Sequence, residues 1–592
     1  MSASVPARLL AAGTTEFSEL IADGHDLYWV EDAPGHGRRL MRAGRTAECL
    51  TPPPYTVESH VYGGGVAAAT IADGTAYFVD GATQRVFRLA PGGAPEPLTC
   101  DDGRRYADLT VDRTRDRLLA VCEDTASSSI SISAIPLYGG PPRTLVTGHD
   151  FLSAPRVSPD GSTLAYIAWD HPSMPWDSTG LYTVSLDRPP TERQAARLIA
   201  GGDGVAVRRP RWSPDGVLHF MSDRSGWWNI HTESGPVAAM TVEMGEPGAI
   251  GAAPYDANER HVVTGAWSGG TGTLLRIDRA SGTAEVLLRT SGQIDQPRFA
   301  AGSIAYLGGS AGEPIGVWEH RPGGRPPRRL RRATEQLPDR VLRAAPESLS
   351  VPARDGGTTH GYLYRPVPAR RPAPLVVMAR GWPAEMTTGT YRAGLTAPLF
   401  WASRGYAVAD LNPRGSNGYG RHYREALNGR LGELDVADAV DVVRFLQARG
   451  DVDPARVVIR GCGAAGFTVL RALNTDEVFA AGTAYHPWHD LDALVSELPG
   501  FYAHLLDRLT GAAPLPPLTG LHGSLLLVQG LADQITPARR TEALADDLRS
   551  RGAEVEFMTL TGEGHGLARP EAVARCLEAE AAFYAKALST TR

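Results

Sequence analysis

Seven copies of one turn-and-hairpin pattern fill the chain up to about residue 335, and a pattern repeated in this way leaves little choice of architecture. Each copy runs from a short strand through a turn rich in Asp, Gly, Pro or Asn into a second strand. The clearest are APRVSPDGSTLAYIAW (Ala154 to Trp169) and RPRWSPDGVLHFMSD (Arg209 to Asp223). Weaker copies are ELIADGHDLYWVED, ATIADGTAYFVDG, LTVDRTRDRLLAVCED, APYDANERHVVTGAW and PRFAAGSIAYLGG. The spacing of roughly 40–50 residues is that of a propeller blade with four short strands. One small sheet cannot bury both its faces; stacking such sheets around an axis buries them and leaves only short edges. The repeat predicts a seven-bladed β-propeller over residues 1–340. A β-sandwich with extra strands is the competing architecture, and seven turn-marked copies favour the propeller.

At 592 residues the chain is too long for one core, and its pattern changes near Gln336. After a Pro/Arg-rich stretch (Arg321 to Arg332), apolar runs of strand length alternate with segments of helical periodicity. The strand candidates are Pro374–Met378, Ala407–Asn412, Val457–Ile459, Ala480–Tyr485, Ser524–Gln529 and Val555–Leu560. Between them lie helical stretches at Pro398–Arg404, Leu434–Gly450 and Phe467–Leu473, with Pro570–Leu588 closing the chain. This alternation predicts a doubly wound, mostly parallel sheet over residues 341–592.

Composition narrows the function. The chain is 42% hydrophobic and 21% charged with a net charge of -7, and no basic stripe marks a nucleic-acid or membrane-surface partner. Five widely spaced cysteines form no C-x-x-C pair, so neither a zinc site nor a disulfide framework is expected. There is no H-E-x-x-H and no phosphate loop, so no metal or cofactor is expected. The N-terminus does not read as a signal peptide, and no run of about 18 apolar residues marks a membrane span, which leaves the cytoplasm as the default location.

The chemistry concentrates at three strand ends. Gly461-Cys462-Gly463-Ala464-Ala465-Gly466 follows an apolar strand and opens a helix, the context of the G-x-S-x-G nucleophile elbow. With Gly461 and Ala465 at the small flanking positions, the nucleophile position is Gly463, which carries no side chain. Asp533 follows the strand Ser524–Gln529, and His565 follows Val555–Leu560. Nucleophile turn, then acid, then histidine is the order of the α/β-hydrolase fold. Either residue alone reads as a turn-capping aspartate or a loop histidine; together, at these strand ends and in this order, they read as an acid–base pair.

Longer segments carry a resemblance. The runs WDHPSMPWD (Trp169 to Asp177), SDRSGWWNI (Ser222 to Ile230), Phe400 to Val440, DVDPARVVIRG (Asp451 to Gly461), QGLADQITP (Gln529 to Pro537) and GEGHGL (Gly562 to Leu567) resemble the prolyl oligopeptidase family. The likeness is to its acylaminoacyl-peptidase-like and dipeptidyl-peptidase-like branch, over nearly the full length. It implies a propeller capping a peptidase-like site that admits small or unfolded peptides, and a chain that associates with copies of itself. The departures cluster at the catalytic centre. The family turn reads roughly G-G-S-x-G-G, and here Gly463 stands for the serine and Cys462 for the glycine before it. The loop that reads H-G-G-P in the family, where it helps form the oxyanion hole, is Arg380-Gly381-Trp382-Pro383.

Three functions remain open on the sequence. In the first, His565 held by Asp533 is a general base without a serine, the space at Gly463 receives water or a substrate's own nucleophile, and the Ala464 N–H with Arg380 and Trp382 forms the oxyanion and substrate site. The substrate is then small and peptide-like or acyl, and the reaction an isomerisation, cyclisation, elimination or water-mediated hydrolysis. In the second, the chain is an inactive homologue that binds peptides. In the third, Cys462 is the nucleophile, although that frame puts Arg460 where a small residue is needed.

Overall fold

The computed structural model describes all residues except 1–3, 188–195, 246–252, 339–344, 380–383, 496, 497, 499, 503, 512–516 and 591–592. By contacts the chain divides into two compact units, Thr15–Gly309 with Ile315–Ala333, and Met1–Thr14 with Ser310–Pro314 and Thr334–Arg592.

The first unit is the seven-bladed propeller. Six of its sheets have four strands and one has five, and each is built from consecutive, antiparallel strands. Every one of the seven repeated segments forms the first hairpin of a blade, as in Phe151–Val157 with Thr163–Trp169, and Ile294–Ala300 with Ser303–Ser310. The first strands of neighbouring blades touch in order around the ring. Among the described residues, no strand is exchanged where the last blade meets the first. The seam is held instead by Arg331, whose Nη2 and Nε lie 2.9 and 3.0 Å from the Glu31 carboxylate, and by the Leu20 N–H, which donates to Gln296 Oε1 at 2.9 Å.

A recurring device ties inner strands together. Glu19, Asp108, Ala154, Arg209 and Gln296 sit at bulges with φ between 46 and 57°, a conformation disfavoured for residues with a Cβ. Some of these side chains satisfy backbone groups of the next blade. Glu19 accepts the Ala68 and Ala69 N–H groups, and Asp108 accepts that of Ala154. Burial, opposed by those two backbone hydrogen bonds, pushes the Glu19 carboxyl up to about 7.

The second unit carries an eight-stranded sheet: β1 (Glu347–Pro352), β2 (Thr358–Tyr364), β3 (Ala373–Met378), β4 (Ala407–Asn412), β5 (Val452–Cys462), β6 (Ala481–Tyr485), β7 (Ser524–Gly530) and β8 (Val555–Leu560). Their spatial order is β1-β2-β4-β3-β5-β6-β7-β8, with β2 antiparallel to both its neighbours and every other neighbouring pair parallel. This is the α/β-hydrolase topology. Central strands are covered on both faces, so they read as unbroken apolar runs: Leu375 to Val377, Val457 to Ile459 and Leu525 are all 0% exposed.

The N-terminus departs from the expected boundary, which placed residues 1–340 together. The helix Ala7–Ala11 packs on the C-terminal helix Pro570–Thr590, and Val5 is held by Ser403 Oγ and Arg404 Nη1 at 3.0 and 2.9 Å. Val5, Ala7 and Leu10 are buried in those contacts, so this short apolar patch belongs to the hydrolase unit. Among the described residues, no helix is long and apolar enough to cross a membrane.

Candidate active site

Parallel sheets of this kind bind ligands at the carboxyl ends of their strands, and four strands deliver side chains there. β5 ends at Cys462 and passes through Gly463 into the helix Ala464–Thr475. Gly463 has φ 57° and ψ -119°, a conformation that glycine adopts easily and an L side chain does not. Its N–H donates to the Tyr485 carbonyl at 3.0 Å, and its own carbonyl accepts from Phe467 and Trp488 at 3.2 and 3.1 Å.

The flanking residues fix the frame. A Cβ on Gly461 would come within 2.6 Å of the Ala465 carbonyl carbon, and one on Gly466 within 2.8 Å of Pro487 Cα. Positions 461 and 465 therefore close on each other across the turn, which puts residue 463 at its apex. Arg460, two residues before Cys462, is buried with its Nε and Nη2 on the two Glu580 oxygens at 2.8 and 2.9 Å. A turn with Cys462 at the apex would need a small residue there. Cys462 itself is half-buried at the strand end.

A Cβ placed on Gly463 would point at two atoms within 4 Å, His565 Nε2 at 3.8 Å and Trp488 Nε1 at 3.9 Å. His565 Nδ1 lies 2.9 Å from Asp533 Oδ2. With Nδ1 protonated and donating to that carboxylate, Nε2 faces the empty position as an acceptor. Asp533 is fixed in turn by the Ile535 and Thr536 N–H groups on Oδ1 at 2.8 and 2.9 Å, and by Thr536 Oγ1 and Gln529 Nε2 on Oδ2 at 2.8 and 3.0 Å. Burial alone would raise its carboxyl. The hydrogen bonds from His565 and Thr536 outweigh it and hold Asp533 well below the usual carboxylate range.

Two residues at this site had no assigned role in the sequence. Trp488, 1% exposed, places its indole Nε1 3.9 Å from where a Cβ on residue 463 would sit. His486 is 4% exposed with its ring centroid 4.4 Å from that of His565. Its Nδ1 is buried and has no hydrogen-bond partner among the described residues. Burial, reinforced by His565 and opposed by Asp533, pushes the His486 imidazole down to about 3, so the ring is neutral near pH 7. The signal for both was their place just past β6, on the same sheet edge as the other groups. Ala464 opens the helix, where its N–H has no intrahelical acceptor. Arg380 and Trp382 lie outside the described residues. Among the described residues, no three His, Cys, Asp or Glu side chains converge as a metal site.

Residues 395–591 match the model of the prolyl oligopeptidase family. Over 248 residues the chain is 27% identical to dipeptidyl aminopeptidase BIII of Pseudoxanthomonas mexicana, covering 38% of this chain and 36% of that one. Over 262 residues it is 25% identical to an uncharacterized peptidase of Bacillus subtilis, covering 42% and 39%. The chain thus aligns with little more than a third of the length of these curated relatives. Among solved structures, a puromycin-hydrolyzing peptidase of Mycobacterium tuberculosis superposes with a TM-score of 0.91 at 28% identity, over 99% of this chain and 97% of the other. A puromycin hydrolase superposes with a TM-score of 0.88 at 28% identity, over the same shares.

Proposed function

We propose that this chain, whose α/β-hydrolase domain is of the prolyl oligopeptidase family, is an enzyme in which the His565–Asp533 pair acts as general base on a small peptide-like or acyl substrate, with water at the vacant position 463 as the nucleophile. The observation that carries this reading is the convergence of an acceptor, His565 Nε2, and a donor, Trp488 Nε1–H, on the point where a side chain of residue 463 would start. A water oxygen about one bond length beyond that point, between the two nitrogens, comes within hydrogen-bond reach of both: it can give a proton to the imidazole and accept one hydrogen bond from the indole, while its second lone pair remains for attack.

The steps balance without a covalent intermediate. Nε2 takes a proton from water as the oxygen attacks the carbonyl carbon. The Ala464 N–H, at a helix N-terminus, donates to the oxyanion that forms. The imidazolium then returns its proton to the departing amine or alkoxide as the carbon–heteroatom bond breaks. Asp533 stays ionised throughout and stabilises the imidazolium.

Puromycin is the first substrate to test, because two structurally similar proteins are described by its hydrolysis; aminoacyl amides and activated acyl esters extend the series. His565→Ala should reduce turnover by about 10²–10⁴, and Cys462→Ala should leave it near wild type. No acyl adduct should appear in the intact mass during turnover. Labelling of the wild-type protein by a fluorophosphonate, or turnover that survives His565→Ala, would sink the reading. Tight peptide binding without turnover, unchanged by His565→Ala, would establish a binding module instead. A thiol-directed adduct on Cys462 that depends on His565 would establish the cysteine route.

A further inference from the structure

One buried cation in the propeller has no counter-charge. Arg209 lies on the inner strand Val207–Trp212, at the bulge between Arg208 and Arg211, with φ 57°. It is 7% exposed. Its Nε and Nη1 are buried and their N–H groups find no acceptor among the described residues, where no carboxylate lies within ion-pair distance either. The nearby acids are engaged elsewhere. Asp108 accepts the Ala154 N–H and Arg156 Nη2, both at 2.8 Å, and Asp295 Oδ1 accepts the Gln296 N–H at 2.8 Å. An uncompensated buried guanidinium is costly, and an orphaned buried donor commonly marks a water or ion.

A cavity of about 10 Å³ adjoins this side chain, lined by Ser153, Ala154, Ile167, Trp169, Pro175 and the two arginines 208 and 209. The polar side chains of that lining are guanidinium, hydroxyl and indole groups, and no carboxylate is among them. The volume suits one atom-sized occupant. We infer that this cavity is an anion site, and that a single monatomic anion of the chloride class sits in it, held by the Nε and Nη1 hydrogens of Arg209. Such an ion supplies the missing negative charge and both missing acceptors at once. Burial pushes the Arg209 guanidinium down to about 10 against the pull of Asp108 and Asp295, and a bound anion would restore its stability as a cation.

Bromide is the probe. Crystals of the full chain soaked in sodium bromide should give an anomalous peak within hydrogen-bonding reach of Arg209 Nε and Nη1. In solution, the thermal midpoint should rise with chloride or bromide at constant ionic strength, balanced with gluconate, following the logarithm of anion concentration. Arg209→Met should abolish that dependence. An equal or larger rise with acetate would mean that the cavity takes a carboxylate and would overturn the monatomic assignment. Density for a water with no anomalous signal at saturating bromide would overturn the site altogether. Should Arg209→Met fail to fold, the bromide experiment on the wild-type protein decides alone. None of these readouts involves turnover, so the anion site and the water mechanism stand or fall separately.

Discussion

Putting a hydroxyl back at the apex of the turn is the sharpest test of the site. In Gly463→Ser the new Cβ meets nothing closer than 3.8 Å, the distance to His565 Nε2. That is ordinary van der Waals contact, so the pocket has room. The cost is conformational: at φ 57° and ψ -119° a residue with a Cβ carries about 1–3 kcal/mol of strain. A measurable fall in the thermal midpoint is therefore expected, with the fold intact. One bond beyond the Cβ, the hydroxyl oxygen can turn toward Nε2 and reach the roughly 2.8 Å of an O–H hydrogen bond. Asp533 and His565 are already oriented, so a complete triad results. Loss of the serine from such a triad costs about 10⁶ in kcat in the subtilisin series, which sets a ceiling on the gain. Even a gain of about 10²-fold on p-nitrophenyl esters lies far below it. The variant should show a burst of p-nitrophenol and take a fluorophosphonate adduct that intact mass spectrometry detects and His565→Ala removes. A folded Gly463→Ser protein that neither bursts nor labels would show that residue 463 does not face the imidazole, and the assignment of the vacant position would fall with it.

Other outcomes follow from single groups. Trp488→Phe keeps an aromatic side chain and deletes the indole nitrogen near position 463; turnover should drop by about tenfold, the worth of one hydrogen bond of about 1.4 kcal/mol, and the drop should shrink in the Gly463→Ser background, where the nucleophile is tethered. His486→Phe removes a buried imidazole whose pKa lies far below its unfolded value of 6.5. The unfolded wild-type chain binds the extra proton, so wild-type stability falls as pH drops below 6.5, and urea titrations should show the variant losing less between pH 7 and pH 4.5. Glu19 shifts the other way, from 4.5 up to about 7. Its folded form holds the proton more tightly, so its contribution is full below pH 4.5 and declines as pH rises toward 7; Glu19→Gln should flatten that limb of the propeller's stability profile. If the wild-type and Glu19→Gln profiles run parallel over pH 4.5–7, the carboxyl is not buried as described.

Local signals explain which parts of this architecture could be read from the chain alone. Each blade's first hairpin is marked by turn residues between two runs of strand length, so all seven appear in the sequence. The fourth strands of three blades, Glu48–Cys49, Glu96–Pro97 and Gly235–Pro236, have two residues each and no periodicity to detect. In the hydrolase unit Ala407–Asn412 and Val555–Leu560 match their expected bounds: the first is buried along its whole length, and the second, an edge strand, is closed by the turn residues on either side of it. Asp533 and His565 were legible for the same reason, each following such a strand. The Arg460–Glu580 pair was not, since its partners are 120 residues apart and nothing local links them. Nor were the approach of Trp488 to position 463 and that of His486 to the His565 ring. A tryptophan and a histidine after a strand are ordinary until the fold places them beside the imidazole.

The geometry of the turn does not depend on the side chain that usually justifies it. A serine elbow is strained, and the strain is normally explained by the nucleophile it exposes. Here the residue at the apex is glycine, for which the same angles cost little, and the turn is nevertheless sharp. Three backbone hydrogen bonds account for it: the Gly463 N–H to Tyr485, and the Phe467 and Trp488 N–H groups to the Gly463 carbonyl. The close approach of Gly461 to Ala465, and of Gly466 to Pro487, leaves the strand and helix no wider path. The crossing of β5 into its helix is thus set by the scaffold. Because the scaffold sets it, the direction in which residue 463 would project is fixed whatever residue stands there, and that direction meets the imidazole held by Asp533. With glycine at the apex the turn is held all the same, so position 463 is a defined point, with His565 Nε2 3.8 Å and Trp488 Nε1 3.9 Å from where a side chain would begin.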